Sequence, residues 1–366
     1  IKIVPAEGTG VQPGESDLLI HWKQARPFRL NASLDDSGSK ATGKYQASGT
    51  FSADNWLMLH DLFYFNYAHN IGGGGAPGNK GTRSHLIHYE IPYDYWLLGF
   101  TSSYYTYHQT IPGINQHYQY SGNSRNNDVT LTRLFYRDAS RKSSAFVKIW
   151  ERSSANYIDD TEIEIQTRRM AGWEMGFTHK EFIGSAALEA HAAYHRGTGV
   201  FQSRHAPEEA YDEGTSRPKI VTAHVQANIP FALLGQRFTY TGNWRRQWNH
   251  TPLVPQDRFS IGNRYTVRGF DGELTLMGDR GWLIRNDLAL ALGNTGQQLY
   301  IGVDYGEVQG QSTRWIQGRY LAGAAIGVRG GYKGFYWDAF ASTPLNKPEG
   351  FPTQNVYAGF SVGWSY

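Results

Sequence analysis

The histidines of this 366-residue chain give the most direct test for metal chemistry, since there are 13 of them and no cysteine. His85 and His88 are three residues apart, so on a β-strand they point to opposite faces. His191 and His195 share a strand face but lie roughly 13 Å apart at about 3.3 Å per residue. Neither pair chelates a metal alone, and we assign Glu189, His191 and His195 to a hydrated interior surface. We therefore predict no metal site and no cofactor.

The glycine-rich segment 72–82, GGGGAPGNKGT, superficially resembles a phosphate-binding loop. Such a loop needs Ser or Thr after its lysine and then a helix. Here Lys80 is followed by Gly81 and the sequence continues as a strand, so we predict a flexible loop. No Ser, His and acidic residues show the spacing of a hydrolase triad, so we predict that the protein is not an enzyme.

The composition limits the class of protein that carries these residues. No apolar run reaches about 18 residues, which excludes a helical membrane protein but not a β-barrel, whose strands alternate lipid-facing and lumen-facing residues. The absence of cysteine excludes disulfides and thiolate metal sites and suits an oxidising compartment. A net charge of +3 is too small to indicate a nucleic-acid partner.

From residue 28 to the C-terminus, apolar and polar residues alternate with the period of β-strands, and helical periodicity is nearly absent. In 219–231, for example, Val221, Val225 and Ile229 share one face, while His224 and Gln226 share the other. Sixteen segments show this pattern: 28–38, 44–54, 55–71, 82–93, 95–109, 126–138, 141–156, 161–179, 183–200, 218–230, 237–250, 281–292, 297–308, 314–328, 334–344 and 354–366.

The connections between these segments alternate between short turns and long polar loops. The short ones lie near Asn55 and Asp94, around residue 180, and at 293–296 and 330–333; the long ones are 72–81, 111–126, 201–218 and 251–280. This asymmetry is typical of outer-membrane barrels, and an even strand count closes the sheet without exposed edges. The segments also suit a bilayer, which needs about 9 to 11 residues per strand, better than a soluble sandwich with about 5 to 6.

We therefore predict an all-β fold, a 16-stranded antiparallel transmembrane β-barrel formed by residues 28–366. We place it in the bacterial outer membrane as a monomer in contact with outer-membrane lipid. Residues 1–27 differ, since they suggest two short strands around a Gly-Pro loop and end at a proline-marked junction. They fit the remnant of a preceding periplasmic domain.

Two groups of aromatic residues carry positional information. Trp244, Arg246 and Trp248 share a strand face. If that face is in contact with lipid, the three residues lie in an aromatic girdle and Arg246 reaches headgroup phosphates. The alternative is that these residues are ordinary members of the girdle without a specific lipid contact. In the final segment, YAGFSVGWSY, the outward residues include Phe360, Trp364 and Tyr366. This ending is similar to the signal that the bacterial barrel-assembly machinery recognises, and the alternative is a closing strand with interfacial aromatics.

The segment 263–273, NRYTVRGFDGE, carries a more specific pattern. Val267, Arg268, Gly269 and Phe270 match the signature of the sixth external loop in the Omp85 superfamily, whose members insert or translocate polypeptides at outer membranes. The longer block 256–290 is very similar to the same region of the TpsB family of two-partner secretion transporters, which serve haemolysins, filamentous haemagglutinins and contact-dependent inhibition toxins. The resemblance extends to RPFRLNASLDDSG (26–38) and to the last strand.

The resemblance implies that the loop 251–280 folds back into the lumen and that Arg268 meets an acid of a Gly-x-Asp motif on the barrel wall. Gly302 and Asp304 supply that motif here, and strand alternation independently places both on the lumen face. A guanidinium among loop atoms needs a carboxylate of matching geometry. Whether such a pair only holds the loop or also gates a pore stays open at this level.

The resemblance also implies a function, which is a pore that exports a large unfolded TpsA-type partner from periplasm to cell surface without ATP. In the family, two POTRA domains recognise that partner, and residues 1–27 resemble the tail of a truncated second POTRA domain. The alternatives are an outer-membrane assembly factor of the same superfamily, or a passive porin.

Overall fold

The computed structural model describes residues 2–6, 12, 15–19, 21, 26–75 and 78–366. Within this part of the chain, sixteen long antiparallel strands close into one barrel, which confirms the predicted fold class. The barrel strands are β1 (Phe28–Asp35), β2 (Tyr45–Asp54), β3 (Leu62–Gly72), β4 (Gly81–Tyr93), β5 (Trp96–Pro112), β6 (His117–Arg137), β7 (Arg141–Ile158), β8 (Arg168–Ile183), β9 (Ala186–Thr198), β10 (Lys219–Leu233), β11 (Gln236–Asn249), β12 (Arg280–Ala291), β13 (Gln298–Gln309), β14 (Tyr320–Tyr332), β15 (Phe335–Asn346) and β16 (Tyr357–Ser365).

The barrel closes where β16 pairs with β1, from Ser361 with Asp35 to Ser365 with Asn31. This is the shortest ladder between neighbouring barrel strands in the described residues. The Leu30 N–H donates to Tyr366 O at 3.1 Å and the Tyr366 N–H donates to Leu30 O at 2.9 Å, which extends the ladder beyond Ser365. The sheet has no free edge, as a lipid environment requires.

The two ends of the barrel differ in the length of their connections. Turns at one end are tight, and residues in the left-handed region form several of them, including Asp94 (φ 52°) and Lys333 (φ 48°). Connections at the other end are mostly long, and the longest two are 199–218 and 250–279. The predicted alternation of short and long connections is therefore present.

Several predicted boundaries were wrong; the strand predicted at 314–328, for example, spans Tyr320–Tyr332. The strand predicted at 55–71 begins only at Leu62, because residues 55–61 curl around Asp61, whose carboxylate accepts the Leu57 N–H at 3.1 Å. The loop predicted at 111–126 is mostly strand, with a tight turn closed by the bond from Gly113 N–H to Gln116 O at 2.7 Å. The strand predicted from residue 161 is interrupted: Thr161–Glu162 pairs with the end of β7, a 3-10 turn follows, and β8 begins at Arg168.

The helical segments of the described residues are single 3-10 turns of three to five residues. In the described part of the chain, no helix is long and apolar enough to cross a membrane.

The N-terminal segment forms a small antiparallel hairpin of Lys2–Pro5 and Ser16–Leu19, outside the barrel sheet. The Gly-Pro loop between these strands and residues 22–25 of the predicted junction lie outside the described residues.

Strand alternation separates a lipid face from a lumen face. In β13, Leu299, Ile301 and Val303 are exposed, while the alternate residues Tyr300, Gly302 and Asp304 are buried. The main buried apolar cluster lies inside the barrel, where it joins the connection 250–279 to the wall. Its members are Ile261, Val267, Phe270, Leu276, Leu283, Val308, Leu321 and Phe351.

Candidate functional site

The connection between β11 and β12, residues 250–279, is the sixth external connection of the barrel, and we call it loop 6. It folds inward rather than away from the membrane. Phe259–Ile261 and Leu276–Gly278 pair as a short antiparallel ribbon that carries the tip of the loop into the lumen. At the tip, Val267 and Phe270 are fully buried and Arg268 is 4% exposed.

Arg268 makes a two-pronged contact with Asp304 of β13. Its Nε lies 2.6 Å from Asp304 Oδ2, and its Nη2 lies 2.7 Å from Asp304 Oδ1. The Arg268 backbone N–H also donates to Asp304 Oδ2 at 3.0 Å. One buried carboxylate therefore holds both the side chain and the backbone of the loop tip, which is the matching geometry that a guanidinium provides.

A second carboxylate shares this guanidinium. Asp287 of β12 places Oδ1 2.6 Å from Arg268 Nη2. Arg285 Nε lies 3.8 Å from Asp304 Oδ2, and Arg329 Nη1 lies 4.0 Å from Asp287 Oδ2. Asp287 was not predicted from the sequence; inward alternation in β12 was the only available signal, and it applies equally to Arg285.

Glycines on the wall make room for the loop tip. A Cβ at Gly302 would overlap the Arg268 guanidinium, and a Cβ at Gly323 of β14 would overlap the Arg268 carbonyl oxygen. Gly269 itself has φ 101°, a conformation that L side chains rarely adopt, and it approaches Thr343 of β15. The loop and the wall are thus fitted to each other at backbone level.

Loop 6 has a second charged contact, at the join of β1 and β16. Arg264 Nη1 lies 2.7 Å from Asp36 Oδ1, with side chains 11% and 2% exposed. The same Asp36 oxygen accepts the Phe360 N–H at 2.9 Å, and Arg264 Nη2 donates to Phe360 O at 3.3 Å. This pair was not predicted from the sequence, although Arg264 and Asp36 both lie in the segments that carry the family resemblance.

The outer part of loop 6 packs against residues 199–218, which we call loop 5. Arg152 of β7 reaches Asp257 of loop 6 at 2.7 Å. Trp150, Met170, Ala206 and Val254 form a small buried cluster where the two loops meet the wall. The two loops together therefore cover part of the external opening.

Glu209 organises loop 5. Its carboxylate accepts hydrogen bonds from His205, from Thr215, and from the backbone N–H and hydroxyl of Ser216, both at 2.9 Å. Burial acts to raise the pKa of Glu209, but the bonds from His205 and Ser216 outweigh it and lower that pKa to about 2.

The remaining predicted residues lie away from loop 6. Gln247 donates to the loop 6 carbonyls of Asp257 and Asp279, so the alternate residues Trp244, Arg246 and Trp248 point outward. The Arg246 guanidinium lies 5.2 Å from the centre of the Trp248 ring.

At the C-terminus, the Trp364 and Tyr366 rings stack at 5.7 Å, and Arg26 lies 4.7 Å from the centre of the Tyr366 ring. Phe360 pairs with Ala339 on the same outward side.

The histidines do not converge on a metal site. His88 bonds to Thr101 on the inner face at 3.0 Å, while His85 packs on Tyr104 on the outer face. His195 bonds to Glu174 at 3.0 Å, and His191 stacks on Phe146. Among the described residues, no three His, Asp or Glu side chains are placed to hold a metal ion.

The glycine-rich segment leads into a strand, since β4 begins at Gly81. Residues 76–77 of that segment lie outside the described residues.

A comparison with known protein families identifies the family of this chain. Residues 14–330 match the family model described as "Haemolysin secretion/activation protein ShlB/FhaC/HecB". The chain belongs to this family. The resemblance to TpsB transporters is thereby confirmed, and the relatives identify the chain as an integral outer-membrane barrel.

Individual proteins that are similar to this chain point to the same family. The chain is 34% identical to the outer membrane transporter CdiB-2 of Burkholderia pseudomallei (strain 1026b), over 96% of this chain and 61% of the relative. It is 25% identical to the hemolysin transporter protein ShlB of Serratia marcescens, over 82% of this chain and 53% of the relative. The structure of CdiB from Acinetobacter baumannii superposes with a TM-score of 0.88 at 32% identity, covering 100% of this chain and 65% of that one. This chain therefore spans less than two thirds of the length of these proteins.

Proposed function

We propose that this protein is the pore of a two-partner secretion transporter. Its substrate would be a large unfolded TpsA-type protein, such as an adhesin, a haemolysin or a contact-dependent toxin, passing from periplasm to cell surface. The observation that carries the proposal is loop 6, a segment that occupies the lumen and is tied to the wall by Arg268 with Asp304 and Asp287. Ionic contacts suit a reversible plug, because water entering the lumen solvates both partners once they separate.

The wall that loop 6 leaves uncovered supports passage of an unfolded chain. Its lumen face carries hydroxyl and amide groups, and some already bond to each other, such as Asn66 Nδ2 with Thr50 Oγ1 at 2.8 Å and Ser33 Oγ with Ser48 Oγ at 2.7 Å. Such groups exchange hydrogen bonds with water and with a passing backbone, and they offer no large apolar surface that would retain it. Transport needs no ATP in this proposal, since folding of the partner outside the cell drives it.

Three other parts of the chain have proposed roles that fit this pore. Residues 1–27 are the tail of a POTRA domain and its junction to the barrel, which agrees with the hairpin found there. Phe360, Trp364 and Tyr366 form the signal read by the barrel-assembly machinery. Arg246 lies among outward tryptophans and contacts lipid headgroups.

The experiment is export by cells that carry the full-length protein together with candidate very large secreted proteins, including any that is encoded beside it. We expect the partner in the medium with the wild type, and a strong loss with Arg268→Ala although the barrel still assembles. The matched control is Arg237→Gln, which removes an inward arginine bonded only to the turn at Gly293 and Asn294 among the described residues. Failure of the wild type to release any such partner contradicts the proposed function. Undiminished export by Arg268→Ala removes Arg268 from the mechanism.

A further inference from the structure

The outer face of β4 to β6 carries a pair of cations separate from loop 6. Arg152 reaches Asp257 inside the barrel, and Asn126 is the direct partner of Arg152 across β6 and β7. Asn126 therefore faces inward, and its neighbour Arg125 points outward. Tyr104, the direct partner of Arg125, shares that outward face.

Arg83 of β4 lies on the same face. It pairs directly with Thr106, which is two residues from Tyr104 on β5. With strands about 4.8 Å apart and about 3.3 Å of rise per residue, the Cα atoms of Arg83 and Arg125 are roughly 12 Å apart. His85 packs on Tyr104 with ring centres 5.3 Å apart, and the Arg125 guanidinium lies 5.6 Å from the Tyr104 ring centre. Two cations thus flank an aromatic platform.

Arg83 and Arg125 have no protein counter-ion among the residues that the structure describes. Both arginine side chains belong to exposed residues, and neither makes an ion pair with a carboxylate in the described part of the chain. The nearest acid on this face by strand position is Glu151, which is engaged by Arg169 at 3.2 Å. Salt screens the effect of more distant acidic residues at an exposed surface, so the positive charges of Arg83 and Arg125 attract anions.

The position of Arg83 and Arg125 along the barrel shows which part of the membrane supplies the anions. Toward the tight-turn end, the outward residues become apolar, with Phe100 paired to Val129 and 44% and 45% exposed. Between that band and the cations lie Ser102 and Asn127, which satisfy each other at 2.8 Å. The cations therefore lie one outward residue pair beyond the apolar band on the external side, at the depth of the outer headgroups.

We propose that Arg83 and Arg125, with Tyr104 and His85 between them, bind the phosphate groups of an anionic lipid in the external leaflet of the outer membrane. Each guanidinium donates paired hydrogen bonds to phosphate oxygens, a geometry that arginine provides and lysine does not. The spacing of the two arginines suits a lipid with two phosphates. Such a lipid would fix the depth and tilt of this side of the barrel.

The test measures lipid retention by the full-length protein in neutral detergent, by native mass spectrometry. The probes are diphosphoryl lipid A and, as a lipid without net charge, phosphatidylcholine. For Arg83→Gln with Arg125→Gln, we expect retention of diphosphoryl lipid A to fall roughly tenfold or more, with phosphatidylcholine unchanged. Assembly of the variant is checked by the heat-dependent mobility of the barrel on gels.

The matched control is Arg133→Gln. Arg133 is on β6, faces outward and packs on Trp96 at 5.0 Å, but it lies near the opposite end of the strand. The control is expected to retain diphosphoryl lipid A as the wild type does. An equal loss in the control, or wild-type retention by the double variant, overturns the proposal. Displacement of the lipid by millimolar inorganic phosphate would also overturn it, because it would show a phosphate site rather than a lipid site.

Discussion

Arg264 and Asp36, which are 228 residues apart in the sequence, form an ion pair of 2.7 Å at the join of the first and last barrel strands. Asp36 follows β1 directly, and its carboxylate also accepts the Phe360 N–H of β16. The inner part of loop 6 is therefore tied to the wall at two points, to Asp304 through Arg268 and to the closing seam through Arg264. A movement that withdraws the loop must break both contacts.

Removing the Asp36 carboxylate is expected to weaken the seam. Asp36→Asn leaves the Arg264 guanidinium without its counter-charge, at a cost of roughly 3 to 5 kcal/mol in a dry site and less where water enters. We expect a lower unfolding temperature, measured by the heat-dependent gel mobility of the purified barrel.

The control for this prediction is Arg29→Gln on β1. The pair of Arg29 with Asp54 is exposed, with side chains 53% and 42% accessible, so its loss is worth at most about 1 kcal/mol. If Asp36→Asn unfolds at the wild-type temperature, the ion pair does not stabilise the seam.

The strand count and the lumen-facing side of Asp304 could be predicted because lipid imposes a pattern, whereas the contact of Asp304 with Arg268 was implied by the family resemblance. Alternate residues of a strand face the bilayer and must be apolar, so the outward residues Leu299, Ile301 and Val303 place the next residue, Asp304, on the lumen side. The same rule explains the failure at 117–126. That part of β6 extends toward the external end, where outward residues need not be apolar and the alternation disappears from the sequence.

Asp287 and Asp36 could not be predicted for a different reason. Both contacts depend on where loop 6 settles in three dimensions, and the contact at Asp36 also depends on which register joins β1 to β16. Register follows from the whole closed sheet, so no local spacing reveals it.

The two carboxylates around Arg268 are expected to contribute unequally. Asp304 is 1% exposed and accepts three hydrogen bonds from Arg268, whereas Asp287 is 17% exposed and shares only one nitrogen. Asp304→Asn should weaken the binding of loop 6 to the wall by roughly 3 kcal/mol, and Asp287→Asn should weaken it by roughly 1 kcal/mol. Hydrogen exchange of the loop 6 amides measures the difference, and equal effects of the two variants would contradict the assigned geometry.

Loop 5 is expected to loosen in acid. The pKa of Glu209 is lowered to about 2 from 4.5, so the folded loop favours the ionised form. This contribution is fully present above the unfolded pKa of 4.5 and is lost as pH falls through the folded value of about 2. Cleavage within 199–218 by pepsin should therefore accelerate between pH 4.5 and 2.

The matched variant for this effect is Glu209→Gln, which cannot lose a charge. Its loop should be cleaved more readily than that of the wild type at the upper end of the range, with a smaller further change on acidification. If acidification speeds cleavage of the wild-type loop only as much as it raises the intrinsic activity of pepsin, the role assigned to Glu209 is wrong.

The backbone fit between loop 6 and the wall gives the sharpest single-atom prediction. Gly323→Ala places a Cβ against the Arg268 carbonyl oxygen, and neither backbone can yield without separating the loop from β14. Gly49→Ala is the matched control, because a Cβ at Gly49 of β2 meets no atom within 4 Å. We expect Gly323→Ala to displace the loop tip and raise the ion conductance of the barrel in planar bilayers, with Gly49→Ala at the wild-type level. Overpacking of this kind typically costs about 1 to 3 kcal/mol, so the barrel itself should still assemble. Wild-type conductance in Gly323→Ala would mean that the loop tip does not limit the pore.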